Sequence, residues 1–293
     1  MASFLSKLAP LVVTLRGSKW RFSTAERTLA QIDRLRKRPV SSKPPRLDGV
    51  DVVQTGPGMY EVSPQGASVD SRALYLHGGC YVFEIDPIHW KFVARLAVEA
   101  RVRVTVPIMA LAPAGTASVI VPAMTDAAAS LIAEAGADRV SLVGDSSGGG
   151  MALAVAMELR NRGLPPLHAT VLIAPWLDIS GTDPRLAEIA PSDPWLAVPG
   201  THAAGALYRA ELPEDDWRVS PIHGSLAGLG PVTMFSGSRD ILNADATRFV
   251  PLAAAAGLAL DYHDGKGMIH NYPILPMPEG DEARKHIVAA VRS

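Results

Sequence analysis

Two periods of apolar residues alternate along most of the chain, one typical of strands and the other of helices. Short apolar runs bounded by glycine, proline or polar residues predict strands. In chain order these runs are 50–54, 59–63, 72–76, 101–109, 140–143, 170–174, 232–236 and 258–263. Apolar residues spaced three and four apart predict helices between them. These helical segments are 88–100, 119–135, 151–162, 243–256 and 281–291.

The order of these elements predicts the fold class. Strands and helices in repeated succession form βαβ units, which build a mainly parallel sheet covered by helices on both faces. The first two strands flank the turn 55–58, and this predicts a hairpin-like antiparallel pair. We therefore expect an α/β fold with eight mostly parallel strands, whose ligands bind at the carboxyl ends of the strands.

Two segments depart from the alternation and predict a cap over the sheet. Residues 20–38 carry apolar side chains every three or four positions between charges, which predicts one amphipathic helix. Residues 181–217 contain five prolines and two short helical stretches, and are too long for an ordinary connection. The predicted organisation is a catalytic domain over 49–293, with 1–48 and the insertion 181–217 forming the cap.

Composition and charge narrow the class of protein. A hydrophobic content of 48% with 19% charged residues indicates a globular protein with a large core. The formal net charge of -1 gives the whole chain no attraction for nucleic acid or anionic lipid. The single cysteine, Cys80, excludes an intrachain disulfide.

The apolar run 8–15 bears on targeting and location. Pro10 interrupts this run, and no small-residue cleavage site follows it, which favours a surface-docking or cap helix over a signal peptide. In the sequence, no segment is expected to reach the ~20 apolar residues that a membrane span needs. The expected location is the cytoplasm.

The motif Gly144-Asp145-Ser146-Ser147-Gly148 lies between a predicted strand and a predicted helix. In this setting G-x-S-x-G is typical of a nucleophile elbow, a strained turn that holds a serine at the carboxyl end of a strand. Gly144 and Gly148 would let the two backbones approach where a Cβ would clash. The alternatives are a glycine-rich helix start and a phosphate-binding turn, but a Walker A loop needs a lysine, which residues 149–151 lack. Ser146 is the candidate nucleophile.

A serine nucleophile needs a base, and the base needs an acid that orients it. Asp240 follows the predicted strand 232–236, and His270 lies in the loop after the predicted strand 258–263. The chain order serine, acid, histidine is that of one large class of serine hydrolases. We predict a catalytic triad of Ser146, Asp240 and His270.

Other residues could in principle fill two of these roles. His263 is an alternative base, but it lies inside a predicted strand. Asp264 and Asp245 are alternative acids, and Asp245 falls inside a predicted helix whose first turn it would support. A turn or cap carboxylate is also the alternative for Asp240 taken alone.

The glycine loop after the predicted strand 72–76 offers backbone donors for the anion that forms during attack. It reads His77-Gly78-Gly79-Cys80. Glycines let N–H groups approach a developing alkoxide, and each such hydrogen bond stabilises the transition state by on the order of 3–4 kcal/mol. With the N–H of Ser147, this loop predicts an oxyanion hole, and an ordinary β-turn is the alternative.

Together these motifs resemble those of the bacterial hormone-sensitive lipase-like (family IV) esterases, which have the α/β-hydrolase fold. The resemblance covers residues from about 70 to 293 and rests on six segments. They are His77-Gly78-Gly79-Cys80, Gly144-Asp145-Ser146-Ser147-Gly148-Gly149, Ala174-Pro175-Trp176-Leu177-Asp178, Ser220-Pro221-Ile222-His223, Gly237-Ser238-Arg239-Asp240-Ile241-Leu242 and Gly267-Met268-Ile269-His270. The resemblance implies Ser146, Asp240 and His270 as the triad, and as N–H donors Gly78, Gly79 and Ser147. Neither a metal nor a cofactor is expected, because no cluster of His, Asp and Glu has ligand spacing.

Three positions depart from the family pattern. Cys80 stands at the third glycine of the loop, and Ser147 stands where alanine is usual. The segment 109–114 lacks the family's arginine and glutamate. We expect the Cys80 side chain to be a steric element near the oxyanion hole and not a second nucleophile, because no adjacent positive charge would lower its pKa.

The cap segments and the glycine loop supply candidate walls for the substrate pocket, although each could equally be ordinary packing between cap and core. These residues are Cys80, Tyr81, Trp20, Trp195, Leu196 and Tyr208. The expected partner is a small-molecule ester, and no nucleic acid is expected. The resemblance and the edge strand 258–263 suggest a homodimer.

Three functions remain open from the sequence. The first is hydrolysis of short- to medium-chain carboxylic esters through an acyl-enzyme. The second is hydrolysis of a lactone, amide or formamide, because protonation of the leaving group by His270 serves all of these bonds. The third is a non-catalytic ligand-binding protein, as the plant gibberellin receptors resemble this family while lacking the base, and the presence of His270 argues against it.

Overall fold

An eight-stranded sheet forms the centre of the computed structural model, which describes residues 3–37 and 41–292. The strands are β1 (Val50–Gly56), β2 (Met59–Pro64), β3 (Arg72–Leu76), β4 (Arg103–Pro107), β5 (Val140–Asp145), β6 (Ala169–Ile173), β7 (Val232–Arg239) and β8 (Leu260–Ile269). Their order across the sheet is β1-β2-β4-β3-β5-β6-β7-β8. The pairs β1–β2 and β2–β4 are antiparallel and the others are parallel. The predicted α/β fold with a mostly parallel eight-stranded sheet is confirmed.

Helices cover both faces of this sheet. The α-helices are α1 (Phe4–Leu15), α2 (Ser18–Phe22), α3 (Ala25–Lys37), α4 (Pro87–Ala100), α5 (Ala117–Ala135), α6 (Ser147–Asn161), α7 (Leu186–Ile189), α8 (Val198–Arg209), α9 (Asn243–Ala255) and α10 (Pro278–Val291). One core contains α5, α6 and α9, and the other contains α4 and α10. The central strand β5 is buried along its whole length and sends Leu142 into the first core and Val143 into the second. Burial on both faces explains why the strand reads as a continuous apolar run.

Two predicted elements differ from the structure. The single helix predicted over 20–38 is two helices, α2 and α3, because Ser23 and Thr24 interrupt it, and its predicted last residue lies outside the described residues. The predicted strand 258–263 continues as β8 to Ile269. The residues predicted to form a loop before His270 therefore belong to the strand. β7 and β8 stay paired as far as Arg239 and Ile269. This longer pairing brings the two strand ends that carry candidate site residues side by side.

Helices α2, α3 and α8 pack together in a layer above the carboxyl ends of the strands. The contact is close because α8 has a glycine in it, Gly200, where a Cβ would lie 2.5 Å from the Cα of Phe22 and 2.5 Å from the hydroxyl of Thr28. The Lys19 ammonium adds a polar link, since it donates to the carbonyl oxygens of Ala190 and Asp193. We call α2, α3 and residues 181–217 the upper helical layer.

Helix α5 needs separate mention because its composition is unusually apolar. Among the described residues it is the one helix long and apolar enough to cross a membrane, by length and composition alone, and the sequence analysis had expected none. In the fold it packs beside α6 and on β5 and β3. Its buried residues include Ile120, Met124, Ala128 and Leu131, which belong to the core of the sheet. The apolar composition therefore serves packing in this structure.

Candidate active site

Ser146 lies at a sharp turn between β5 and α6. Its backbone has φ 54° and ψ -124°, a conformation that L-residues rarely adopt and that costs on the order of 1–3 kcal/mol. The turn is possible because of two glycines. A Cβ on Gly144 would lie 2.1 Å from the carbonyl oxygen of Gly148, and one on Gly148 would lie 2.0 Å from the carbonyl oxygen of Leu76. Such a strand–turn–helix geometry is typical of a nucleophile elbow.

The structure brings the three predicted triad residues together. The Nε2 atom of His270 lies 3.1 Å from the Oγ of Ser146, and its Nδ1 atom lies 2.7 Å from the Oδ2 of Asp240. All three residues are buried, with at most 3% of their surface exposed. These are hydrogen-bond distances, so a proton can pass from the serine to the histidine while the carboxylate orients the ring.

The charge around His270 favours its protonated form. Burial lowers the pKa of His270, but the Asp240 carboxylate outweighs it, with smaller contributions from Asp193 and Asp145, and the pKa is raised above its ordinary value of 6.5. The imidazolium that forms when Ser146 loses its proton is therefore stabilised where it is needed.

Asp193 is a buried carboxylate beside the triad that sequence reasoning missed. It accepts hydrogen bonds from the N–H groups of Trp195 and Leu196, in the upper helical layer, and of Ile241, directly after Asp240. Burial, followed by the charge of Asp240, raises the pKa of Asp193 to about 6. The Asp-Pro pair at 193–194 is a turn signal that could have identified it. Asp193 fixes the upper helical layer to the loop that carries Asp240.

The alternative base and acids lie elsewhere. His263 stacks on Phe235 and bonds to the carboxylate of Asp261, and Asp264 is exposed. The sequence predicts that Asp245 supports the first turn of its own helix, and the structure differs. Its carboxylate instead accepts the N–H groups of Leu177 and Asp178 in the loop after β6. Burial, followed by the charge of Asp178, raises the pKa of Asp245 to about 8, so it is a structural carboxyl group.

One of the three predicted oxyanion donors is already occupied. The N–H of Gly78 donates to the Oδ1 of Asp145 at 3.0 Å, so it points away from the position of a substrate oxygen. The next two N–H groups of the loop, those of Gly79 and Cys80, make no hydrogen bond to any described residue. Ser147 begins α6, where backbone N–H groups have no partner within the helix. The donor set that the structure offers is therefore Gly79, Cys80 and Ser147.

Asp145 anchors the back of the site with four contacts. Its Oδ1 accepts from the hydroxyl of Tyr75 at 2.5 Å and from Gly78 N–H, and its Oδ2 accepts from the amide of Asn271 at 2.7 Å. The Nε2 atom of His89 lies 3.3 Å from the same Oδ2. Burial raises the pKa of Asp145, but the charge and hydrogen bond of His89 outweigh it and lower the pKa to about 2. The carboxylate is therefore ionised and ties the loop of Gly78 to Asn271, the residue after His270.

His89 is the cation of this buried network. Burial lowers the pKa of His89, but the carboxylates of Asp145 and Asp86 outweigh it and raise the pKa to about 10. The neighbouring His77 is the opposite case, because burial and then the charge of His89 lower its pKa to about 4. Neutral His77 has its Nδ1 atom 2.6 Å from the carbonyl oxygen of Gly78, which holds the loop from inside.

A cavity of about 420 Å³ opens in front of Ser146 and His270. Its walls come from α1, from the oxyanion loop and from the upper helical layer. The lining residues include Val13, Arg16, Ser18, Arg21, Phe22, Gln31, Leu35, Gly79, Cys80, Phe83, Trp195 and Leu196. The Trp195 ring meets the His270 ring edge to face, with 5.6 Å between centroids. Three predicted pocket residues, Cys80, Trp195 and Leu196, thus lie in the cavity wall.

The other three predicted pocket residues are placed differently. Tyr81 stacks on Tyr208, which belongs to α8, and both border a small neighbouring pocket with His77 and Gly78. Tyr208 is fully buried, so it is a packing residue. Trp20 is 61% exposed and carries the Arg27 guanidinium over its ring at 4.7 Å, outside the cavity. The helical period predicted α2 but not which side of it would face the cavity.

Cys80 combines burial with an unusual backbone. Its φ is 53°, in the left-handed region that favours glycine, and 4% of its surface is exposed. Burial, followed by the charge of Asp240, raises the pKa of the thiol to about 12. A protonated thiol is a poor nucleophile at neutral pH, which agrees with a steric role.

Among residues 3–37 and 41–292, no group of three or more His, Cys, Asp and Glu side chains could hold a metal ion.

Comparison with known proteins bears on the family of this chain. The family model of the α/β-hydrolase fold matches residues 73–274. The chain is 32% identical over 229 residues to a triacylglycerol lipase of Mycobacterium tuberculosis, a match that spans 78% of this chain but less than half, 46%, of that lipase. It is 32% identical over 241 residues to an acetyl-hydrolase of Streptomyces hygroscopicus, with 77% of each chain covered.

A solved structure extends the likeness to the whole chain. An esterase of the bacterial hormone-sensitive lipase family superposes with a TM-score of 0.84 at 26% identity, and the alignment covers 100% of this chain and 99% of that one. The upper helical layer and the sheet are thus both matched. The chain belongs to the α/β-hydrolase fold family, among the hormone-sensitive lipase-like carboxylic ester hydrolases.

Proposed function

We propose that this protein hydrolyses short- to medium-chain carboxylic esters through an acyl-enzyme on Ser146. The observation that carries the proposal is the continuous hydrogen-bonded chain from Ser146 through His270 to Asp240, which begins at a strained serine. A small-molecule ester is the substrate class, and the acetyl-hydrolase and lipase relatives support it.

The geometry supports the following sequence of steps. His270 Nε2 removes the proton of Ser146 as its Oγ bonds to the ester carbonyl carbon, and the carbonyl oxygen becomes an alkoxide. The N–H groups of Gly79, Cys80 and Ser147 donate to that oxygen. When the alkoxide collapses, the bond to the leaving alcohol breaks, and His270 gives the alcohol its proton.

Deacylation repeats these steps with water. His270 takes a proton from a water molecule whose oxygen attacks the acyl carbon, and the bond to Ser146 then breaks. The serine recovers its proton from His270 and the carboxylic acid leaves. Throughout, Asp240 stays ionised and orients the ring.

Residues 1–48 and the insertion 181–217 are proposed to form a cap that selects among esters. Support comes from the cavity, since α1–α3 and the 181–217 segment both contribute walls, with Phe22, Leu35, Trp195 and Leu196 as apolar members. A hydrophobic pocket distinguishes acyl chains weakly, by about 10–200-fold per methylene group at most. A panel of p-nitrophenyl esters with increasing acyl length would measure this preference.

Two further proposals concern the whole protein. We expect it in the cytoplasm, which fractionation of the source cells would check. We also expect two copies to pair along β8, the edge strand of the sheet, whose backbone can accept another strand. Light scattering after size-exclusion chromatography would give the mass of the assembly, and a monomer at all concentrations would contradict the pairing.

The decisive experiment replaces Ser146. Ser146→Ala should lower kcat on a short p-nitrophenyl ester by roughly 10⁴-fold or more, because the nucleophile is absent. The matched control is Ser130→Ala, on the exposed face of α5, which should keep wild-type activity. A small organophosphate should add to Ser146 in the wild type, as intact-mass spectrometry would detect. Near wild-type activity of Ser146→Ala would refute the proposal, and a lactone or amide preferred over every ester would redirect it.

A further inference from the structure

Helix α1 presents its apolar residues to solvent, the reverse of what a helix packed on a core would do. Its buried residues are Ser6, Pro10 and Val13. Six large apolar residues are exposed, by 36% to 78% of their surface: Phe4, Leu5, Leu8, Leu11, Val12 and Leu15. At ~100° per residue, these six fall within about 120° of the helix circumference. They therefore form one continuous stripe.

The stripe is a concentration and not the ordinary scatter of surface leucines. Of twelve exposed large apolar residues in the described part of the chain, seven lie between Phe4 and Trp20. Single exposed apolar residues are normal, whereas a contiguous patch marks an interaction site. We call the stripe of α1 the apolar face.

The helix that carries the apolar face is attached to the protein by its other side. Ser3, at its N-cap, bonds to the carboxylate of Glu279 through both its N–H and its hydroxyl, at 2.6 and 2.8 Å. Val13 joins the core formed by α4 and α10. The helix is thus held in an orientation that leaves the apolar face outward.

The charged side chains of the segment that carries the apolar face are all basic, although the Glu279 carboxylate lies at its N-cap. Residues 3–25 contain four basic residues, Lys7, Arg16, Lys19 and Arg21, and no acidic ones, although the whole chain has a formal net charge of -1. On the helical projection, Lys7 and Arg16 border the stripe on its two sides. The net charge of the chain therefore conceals a local positive charge at this surface.

The apolar face lies beside the entrance to the active site. Val13, Arg16, Ser18 and Arg21 belong to the same segment and line the cavity that contains Ser146. A surface that contacts the apolar face would therefore also lie next to the cavity.

We propose that the apolar face docks on an anionic phospholipid bilayer. An amphipathic helix with basic residues beside its apolar stripe lies in the plane of a membrane interface, with the leucines among the acyl chains and the basic residues at the headgroups. A second copy of the chain is a poorer occupant, because it would bring two positive segments together. If the proposed function holds, docking would place the entrance of the cavity next to esters dissolved in the bilayer.

Vesicle binding tests the docking without any ester substrate. The full chain is sedimented with sucrose-loaded vesicles of phosphatidylcholine alone, or of phosphatidylcholine with phosphatidylglycerol. We expect binding to the anionic vesicles and at least about tenfold weaker binding to the neutral ones. The triple variant Leu8→Ser, Leu11→Ser, Leu15→Ser should weaken binding to anionic vesicles by at least about tenfold, because three apolar side chains leave the acyl region.

The matched control removes exposed apolar residues elsewhere. Val119→Ser with Leu252→Ser should bind like the wild type, since these residues lie on α5 and α9. Rates on a soluble short ester should be equal in the triple variant, the control and the wild type, which reports the proposed function separately. Absence of binding by the wild type overturns the docking, and so does equal binding to both vesicle types. A wild-type dimer that the triple variant abolishes, without vesicle binding, would assign the apolar face to a second copy.

Discussion

The active site has a back of buried charges and a front of polar and apolar cavity walls, and the two are built differently. At the back, the Asp145 carboxylate collects contacts from residues on β3, α4 and the loop after β8, all buried. At the front, Phe22 and Leu35 come from the first helices, whereas Trp195 comes from the 181–217 segment. The back holds the reacting groups in position, and the front controls which substrates can bind next to them.

This division predicts two kinds of failure. Damage to the back should lower the rate on every ester by a similar factor, because the chemistry is shared. Damage to the front should change the ratio of rates between esters and leave the smallest substrate little affected.

Outside the predicted triad, the largest effect is expected from Asp145→Ala. It leaves a buried imidazolium and three donors without their acceptor, so kcat should fall by about 10²–10³-fold on all esters as the oxyanion loop shifts. The free energy of unfolding should fall by about 3–5 kcal/mol, the usual result of breaking a buried ion pair. Initial rates over the ester panel and denaturant unfolding would measure both.

Asp145→Asn is the conservative variant for this prediction, and Asp264→Ala is its control. The amide keeps one acceptor oxygen, so Asp145→Asn should recover part of kcat with little change in KM. Asp264 is exposed, and Asp264→Ala should behave like the wild type. Full activity of Asp145→Ala would show that the oxyanion loop holds its position without the carboxylate.

A front substitution should have a smaller and selective effect. Trp195→Ala widens the cavity beside His270, so the ratio of kcat/KM for octanoate to that for butyrate should change by about tenfold. Trp20→Ala is the matched control, since Trp20 is 61% exposed and outside the cavity. Equal factors on all esters in Trp195→Ala would place this tryptophan with the back.

The smallest effect concerns pH and the residue that joins front to back. The base must be neutral to act, and the pKa of His270 is raised, so the acidic limb of kcat/KM should lie above pH 6.5. Asp193→Asn removes one negative charge that favours the imidazolium, which lowers this pKa. The acidic limb should therefore move to lower pH, as a full pH profile would show.

The Asp193→Asn variant should keep its fold, because the amide oxygen can still accept the N–H groups of Trp195 and Leu196, and only the bond from the Ile241 N–H is lost. A limb that stays in place would mean that the charge of Asp193 does not contribute to the titration of His270.

The back was more predictable than the front. The strand, the glycine pair and the chain order of serine, acid and base are local patterns, and each is tied to a strand end that the parallel sheet gathers at one edge. The donor set was predicted less well, because a loop N–H is free only if the fold brings no acceptor to it. Asp145, 67 residues from Gly78, takes that N–H.

The front could be predicted only as segments. Helical periodicity identified residues 20–38 as amphipathic, but Ser23 and Thr24 end one helix and start another there, and Trp20 turns outward. Similarly, apolar spacing could not say that α1 buries its serine and proline and exposes its leucines. Which side of a short helix is buried depends on partners that lie far away in the chain.

Of the two unusual residues of the oxyanion region, Cys80 and Ser147, the second bonds to the residue that follows the first. Ser147 Oγ accepts the N–H of Tyr81, directly after Cys80, at 3.3 Å. A side chain at φ 53° costs about 1–2 kcal/mol relative to glycine, and the hydroxyl supplies a bond to the same loop that alanine could not make. The two substitutions should therefore be epistatic, with the serine permissive for the cysteine. In a relative with alanine at this position, the same cysteine would be expected to cost more than it does here.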